Sequence, residues 1–164
     1  VMYDEVIKQF IKDKDYIFLD LYCGVGIMSI LIAEYYYKCY GIEINENAIF
    51  VAKHNLDINN INNCNYICSS VEDIINDNTI NITSIENRNI IIFINPPRSG
   101  LYKSVIDKLN SLKSTNRVKQ IIYLSCCKKS LERDLEMLDY ESKIIKVYNM
   151  FPKTDHKEYL VELI

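Results

Sequence analysis

The stretch Tyr16-Ile17-Phe18-Leu19-Asp20-Leu21-Tyr22-Cys23-Gly24-Val25-Gly26 decides the fold. Its first half is nearly all apolar, as a strand buried on both faces of a parallel sheet requires. Two glycines follow at once, and a helical pattern opens at Ile27. Glycine lets the backbone turn sharply and approach a ligand without a Cβ clash. Strand, Gly-rich turn and helix, in that order, form the opening unit of a nucleotide-type α/β sheet. About 20 residues on, the distance such a unit sets, Glu43 ends a second apolar run. A carboxylate there can accept both hydroxyls of a ribose.

Outward from this unit, helical and extended patterns alternate. Helices are expected over residues 3–13, 27–36, 46–58, 102–112 and 129–138, with Asn45 capping the third and a short helical turn over 71–75. Strands are expected over 16–22, 39–44, 65–68, 90–94 and 120–125, and the polar stretch 76–89 reads as a loop. Segments 144–150 and 159–164 lie too close for a crossover helix and are expected to pair antiparallel. The fold class is therefore α/β, a doubly wound sheet, mostly parallel, with one antiparallel strand near the C-terminus.

Composition sets the outer limits. The 164 residues suit one domain with a real core. Hydrophobic residues at 49% against 25% charged exclude a disordered chain. No apolar run reaches membrane-spanning length, and Val1-Met2-Tyr3-Asp4-Glu5 is no signal peptide. Six cysteines are present without paired CxxC motifs, so no metal site is expected. Cys39, Cys64 and Cys68 lie in or beside expected strands, where cysteine acts as a small hydrophobe. A reducing, intracellular compartment and a monomer follow as expectations. A net charge of −3 is the wrong balance for a self-sufficient nucleic-acid binder.

Three further blocks fall where strands end. Ile121-Ile122-Tyr123-Leu124-Ser125-Cys126-Cys127 is a buried-strand pattern closing on a thiol before a helix. Asn95-Pro96-Pro97-Arg98 is a rigid turn after another strand, and Phe151-Pro152-Lys153-Thr154-Asp155-His156-Lys157-Glu158 brings a late carboxylate. Strand C-termini form one edge of an open α/β sheet, the edge where ligands bind. A dinucleotide loop needs a third glycine, and here that region reads Ile27-Met28-Ser29. A pyrophosphate site is thus incomplete. S-adenosylmethionine, cationic at sulfur and free of phosphate, suits the loop better, with Asp20 facing its ammonium end.

On these four ordered blocks the chain resembles the catalytic domain of the RNA uracil-5-methyltransferases. The matching elements are Asp20 to Gly26, Asn95-Pro96-Pro97-Arg98, Leu124-Ser125-Cys126 followed by Leu131-Glu132-Arg133-Asp134-Leu135, and Met150-Phe151-Pro152 through Glu158. The resemblance implies a Rossmann-like class I methyltransferase sheet and S-adenosylmethionine as cofactor. The implied substrate is a uridine of transfer or ribosomal RNA. It implies Cys126 as nucleophile and Glu158 as general base. It assigns Tyr22, Gly24, Gly26, Glu43, Ser70 and Asn95 to the cofactor, and Asn95 and Arg98 to the substrate. It also implies that the 164 residues are one catalytic domain within a longer protein whose other regions carry RNA contacts.

The residue types fit that chemistry. Carbon 5 of uracil is a poor nucleophile until a thiolate adds at carbon 6. A base must then remove the carbon-5 proton so that the thiol can leave. The target base must leave its stack to reach the thiol. The chain departs from the family pattern at Ile27 and Asn95, where Asn and Asp are usual, and at Cys127, where Asn is usual. Those departures motivate a competing reading, a cofactor-binding domain acting as an RNA-binding or folding factor. Cys126-Cys127 also suggests a two-cysteine cytosine-5 enzyme, but neighbouring strand residues point to opposite faces.

Overall fold

The computed structural model describes residues 2–76, 87–150 and 156–164, with the backbone alone at 75 and 76. Most of the expected loop 76–89, and the Phe151 to Asp155 part of the late block, lie outside the described residues. The elements in chain order are α1 (Met2–Ile7), β1 (Asp13–Leu21), α2 (Ile27–Ile32), a 3-10 turn (Ala33–Tyr35), β2 (Tyr36–Glu43), α3 (Glu46–Asn59) and β3 (Cys64–Cys68). Then follow α4 (Val71–Asn76), β4 (Ile90–Ile94), α5 (Lys103–Lys113), β5 (Val118–Ser125), α6 (Lys128–Met137), β6 (Ser142–Asn149) and β7 (Lys157–Leu163).

The seven strands form one sheet in the order β3-β2-β1-β4-β5-β7-β6. Strands β1 to β5 run parallel, and β7 is antiparallel to both β5 and β6. The strand order reverses between β1 and β4, which leaves a crevice at their C-terminal ends. Ile90-Ile91-Ile92-Phe93-Ile94 sits at the centre, buried at every position because helices cover both faces. One face packs on Val105, Ile106 and Leu109 of α5 and Leu131 of α6. The other packs on Val6 of α1, Met28 and Ile32 of α2, and Ile49, Ala52 and Leu56 of α3. Apart from Ala52, each such side chain, fully buried, contributes about 1.5–3 kcal/mol.

Three expectations change. The first helix ends at Ile7 rather than 13, because Phe10 turns inward as an aromatic wedge. Its ring meets Phe18 at 5.3 Å and Phe93 at 5.8 Å, edge to face. The helix expected over 27–36 stops at Ile32, and Tyr36 opens β2 with its hydroxyl donating to the Ile11 carbonyl at 2.6 Å. Cys39 and Cys64 are buried as expected, but Cys68, at the end of β3, is exposed. The outer strand β6 alternates exposed Ile144 and Val147 with Lys143 and Lys146 and carries a register shift. Lysines and an irregular ladder blunt an edge that would otherwise template pairing.

Candidate active site

The β1–α2 loop is shaped by its sequence. Gly26 takes a left-handed φ of 78°, and a Cβ there would lie 2.1 Å from the Tyr66 hydroxyl, which donates to the Gly26 carbonyl at 3.0 Å. Gly26 therefore serves the close packing of the loop on β3 and lines neither of the cavities below. Tyr22 is also left-handed, at φ 62°, a conformation that costs a non-glycine residue about 1–3 kcal/mol. Its hydroxyl donates to Glu72 at 3.1 Å and so ties the loop to α4. Glu43, at the end of β2, accepts from the Gly24 N–H at 3.1 Å and from the Asn45 N–H at 2.9 Å. The carboxylate is held open toward the crevice by backbone donors, with lone pairs left for a ligand.

Two cavities meet at the switch point. One of about 430 Å³ is lined by Tyr22, Glu43, Ile44, Ser70, Glu72, Asn95, Pro96, Pro97 and Tyr102 among others. The second, about 200 Å³, is lined by Tyr3, Asp20, Tyr22, Cys23, Gly24, Ile27, Met28 and Asn95 among others. Tyr22 and Asn95 are common to both. Ser70 also caps α4, its Oγ accepting from the Asp73 N–H at 3.0 Å. The structure thus brings together Tyr22, Gly24, Glu43, Ser70 and Asn95.

Asp20 is the buried charge of the smaller cavity, 1% exposed. Its Oδ2 accepts from the Ser29 N–H at 3.2 Å and the Ser29 hydroxyl at 2.5 Å. Its Oδ1 is buried and has no hydrogen-bond partner among the described residues. Burial pushes the carboxyl up to about 7, against the pull of the Ser29 hydrogen bonds and with a further push from Glu43. An orphaned buried oxygen of this kind calls for a cationic or donating ligand. Ser29, which from sequence reads only as the missing third glycine, is the group that fixes this carboxyl.

A test of that carboxyl follows from linkage. The folded pKa, about 7, lies above the ordinary 3.8, so the folded chain holds this proton more tightly than the unfolded chain. The associated stability is present below about pH 4 and is lost as pH rises through 7. The penalty at pH 8 is at most about 4 kcal/mol. Asp20→Asn is expected to match the parent in urea titrations at pH 4 and to exceed it at pH 8. An equal difference at both pH values would show that Asp20 does not titrate in this window.

The thiol and the late carboxylate stand on the neighbouring side of the edge. Cys126 is a partly exposed bend residue directly after β5. Glu158 does not precede the last strand as expected; it is the second residue of β7, and the reversed direction of β7 brings that end to the same edge. The β5–β7 register ends with Ser125 opposite Tyr159, and one further step sets Cys126 level with Glu158. Burial raises the Glu158 pKa, and Arg98 nearby lowers it in part. Neither Cys126 nor Glu158 lines the two cavities. Tyr3 lines the smaller cavity, and its hydroxyl is pushed up by burial and then by the charges of Asp20 and Glu158. Nothing in the local pattern around Tyr3 marked it; only the packing of α1 against the switch point does.

Cys127 occupies the N-cap position of α6 and makes no cap hydrogen bond through its side chain. The Ser130 hydroxyl, then its N–H, then the Lys129 N–H and Arg98, all lower its thiol pKa. Arg98 and Cys127 line a different cleft from the cofactor-type cavities. His54 and His156 are both exposed. Ile27 is 43% exposed on the wall of the smaller cavity, an apolar surface where the family pattern has an amide. Among the described residues no cluster of His, Cys, Asp and Glu could hold a metal ion, and no helix is long and apolar enough to cross a membrane.

Residues 2–164 match the family model described as tRNA (Uracil-5-)-methyltransferase. The chain is 38% identical over 165 residues to an uncharacterized RNA methyltransferase of Protochlamydia amoebophila, covering 99% of this chain and 36% of that protein. It is 34% identical over 146 residues to the tRNA (uracil(54)-C(5))-methyltransferase of Pyrococcus horikoshii, covering 89% of this chain and 32% of that protein. Among solved structures, the Pyrococcus abyssi tRNA (uracil-54, C5)-methyltransferase in complex with S-adenosyl-L-homocysteine superimposes with a TM-score of 0.76 at 28% identity. That match covers 99% of this chain and 37% of that one. The chain spans about a third of the length of the curated relatives it matches. The family model over residues 2–164, together with these relatives, means that the chain belongs to the tRNA (uracil-5-)-methyltransferase family.

Proposed function

We propose that the chain is the catalytic domain of a longer enzyme that methylates carbon 5 of a uridine in RNA, with S-adenosylmethionine as methyl donor. The observation that carries the reading is the shared edge. Two cavities meet at Tyr22 and Asn95, and the thiol and carboxylate of Cys126 and Glu158 stand beside them. The donor set fits the cofactor: Glu43 for ribose hydroxyls, the orphaned Asp20 Oδ1 for an ammonium, and an apolar wall of Ile44 and Pro96 for a ring. When bound, the cofactor supplies an electrophilic methyl on a sulfonium.

The residues of the chain do the rest. The Cys126 thiolate adds to carbon 6 of uracil, and the electron pair of the 5,6 double bond makes carbon 5 nucleophilic. Asn95, which borders both cavities, hydrogen-bonds the uracil edge without adding charge. Glu158 takes the carbon-5 proton once that carbon carries the methyl; the double bond re-forms, the carbon–sulfur bond breaks and the thiolate is released. Arg98 balances the negative charge near Glu158. Mass analysis of nucleosides from uridine-containing RNA incubated with the full-length protein tests this, with 5-methyluridine expected. Methylation of cytidine, or of no base, would overturn it. The second outcome is the one favoured by the apolar wall at Ile27, and it would mark a cofactor-binding RNA factor.

The cofactor part has its own measurement. Glu43→Ala removes a charged acceptor already oriented by two backbone N–H groups. It is expected to weaken S-adenosylhomocysteine binding by about 1–3 kcal/mol in calorimetry. Unchanged affinity would remove Glu43 from the site.

A further inference from the structure

The Leu131-Glu132-Arg133-Asp134-Leu135 stretch has no part in the chemistry above, yet it is built with care. Asp134 is wholly buried. Its Oδ2 accepts from the Leu101 N–H at 2.8 Å and from the Tyr123 hydroxyl at 2.7 Å. Its Oδ1 accepts from Arg133 Nε at 2.9 Å and Nη2 at 2.5 Å. The same Nη2 donates to the carbonyls of Ser99 at 2.9 Å and Leu101 at 3.1 Å. Gly100, at φ 76°, permits this, because a Cβ there would lie 2.5 Å from Asp134 Oδ2 and 2.8 Å from Arg133 Nη2. One buried carboxylate thus fastens the loop after Pro97 to α6 and holds a guanidinium in a fixed position.

That guanidinium forms one wall of a cleft of about 350 Å³ lined by Arg98, Ser99, Cys127, Lys129, Ser130 and Arg133. Three cations and two serines meet there, and among the described residues no carboxylate is in the lining. Asp134 offsets the charge of Arg133, so Arg98 and Lys129 supply the excess. Both are exposed, and neither donates a side-chain hydrogen bond among the described residues. The chain as a whole carries a charge of −3, so a cationic cleft does not follow from composition. The Cys127 thiol on this wall is lowered, by Ser130 first and by Arg98 last. The cleft shares Arg98 with the proposed substrate edge and Cys127 with the thiol loop. Its occupant is therefore something attached to the base that reaches Cys126. The chemistry that fits is a phosphodiester, with several oxygens for dispersed donors.

We propose that this cleft is a phosphate subsite for the RNA strand beside the target uridine, with Arg98 and Lys129 as its charge partners and Arg133 as a fixed donor. The inference rests on the RNA reading of the Cys126 edge. The test uses the full-length protein and a fluorescein-labelled RNA hairpin with a uridine-containing loop, read by anisotropy over a series of potassium chloride concentrations. Lys129→Ala is expected to weaken binding about fivefold and to lower the slope of log affinity against log salt by about 0.7–0.9. Lys143→Ala, on the far edge strand, leaves both unchanged. Hairpins carrying one neutral methylphosphonate linkage, moved along the loop, should show one position where the parent loses affinity and Lys129→Ala does not. Equal salt slopes for parent and Lys129→Ala, or additive losses at every linkage, would overturn the subsite. The same hairpin carrying 5-fluorouridine reports separately on the thiol. If the linkage pattern holds while the parent forms no covalent adduct, the subsite stands and the covalent reading falls.

Discussion

Cys126→Ala abolishes the covalent RNA–protein complex, whereas Cys127→Ala still forms it. This is the expected result when the full-length protein meets RNA carrying 5-fluorouridine, whose carbon-5 fluorine cannot leave as a proton does, so the thioether accumulates. Turnover on ordinary uridine is expected to fall about 10⁴-fold or more in Cys126→Ala, the scale of losing a covalent nucleophile. The choice between the two thiols is not obvious from acidity. The structure lowers the Cys127 pKa, through Ser130 first, and a lowered thiol is the usual mark of a reactive one. Geometry decides the other way. Cys127 lines the cleft of Arg98, Lys129 and Arg133. Cys126 follows directly on β5, and one step beyond the Ser125–Tyr159 pair sets it level with Glu158, the carboxylate with which the proposed mechanism pairs it. A thiol without a base in reach could open the reaction but not close it. An adduct that survives Cys126→Ala and disappears in Cys127→Ala would reverse the assignment.

How much of this was legible beforehand depended on whether a residue acts through chain-local pattern or through packing. The central strand 90–94 was readable to the residue, because five apolar positions between polar stretches have no other use. Asn45 as the cap of α3 was equally readable, and its Oδ1 accepts from the Ala48 N–H at 3.1 Å. Tyr22, Gly24, Glu43, Ser70 and Asn95 each sit at a strand end, so strand order alone gathers them at the crevice. Tyr3 and Ser29 were not readable, because their roles exist only once α1 lies across the switch point and α2 folds back on Asp20. The end of α1 was missed for a similar reason. Val6, Ile7, Phe10 and Ile11 have helical spacing, but Phe10 gains more from the Phe18 and Phe93 rings than from another helical turn. Gly26, which the resemblance assigns to the cofactor, packs against Tyr66 and lines neither cavity. The Arg133–Asp134 pair was visible as a motif, but its meaning lies in the loop carbonyls it holds.

Glu158→Gln separates the two halves of the mechanism. The amide keeps the size of the side chain but cannot accept the carbon-5 proton. Thiol addition and methyl transfer should then proceed while release fails, so RNA is expected to remain bound to Cys126 on ordinary uridine, without any fluorine. Steady-state turnover should drop by about 10²–10⁴-fold, the range for a positioned general base. The pH dependence follows from the direction of the shift. Burial raises the Glu158 carboxyl above its usual 4.5, and Arg98 opposes this. The base works only when ionised, so release is intact at high pH and is lost as pH falls through the raised folded value, at a higher pH than an ordinary carboxylate would set. Arg98→Ala removes the opposing charge and should move that acid limb higher still, which single-turnover release measured between pH 4 and 8 would show. A limb unmoved in Arg98→Ala would mean that the guanidinium does not act on this carboxyl. Free turnover of Glu158→Gln at the parent rate would mean that another group takes the proton, and Tyr3, which feels both Asp20 and Glu158, is the next to substitute.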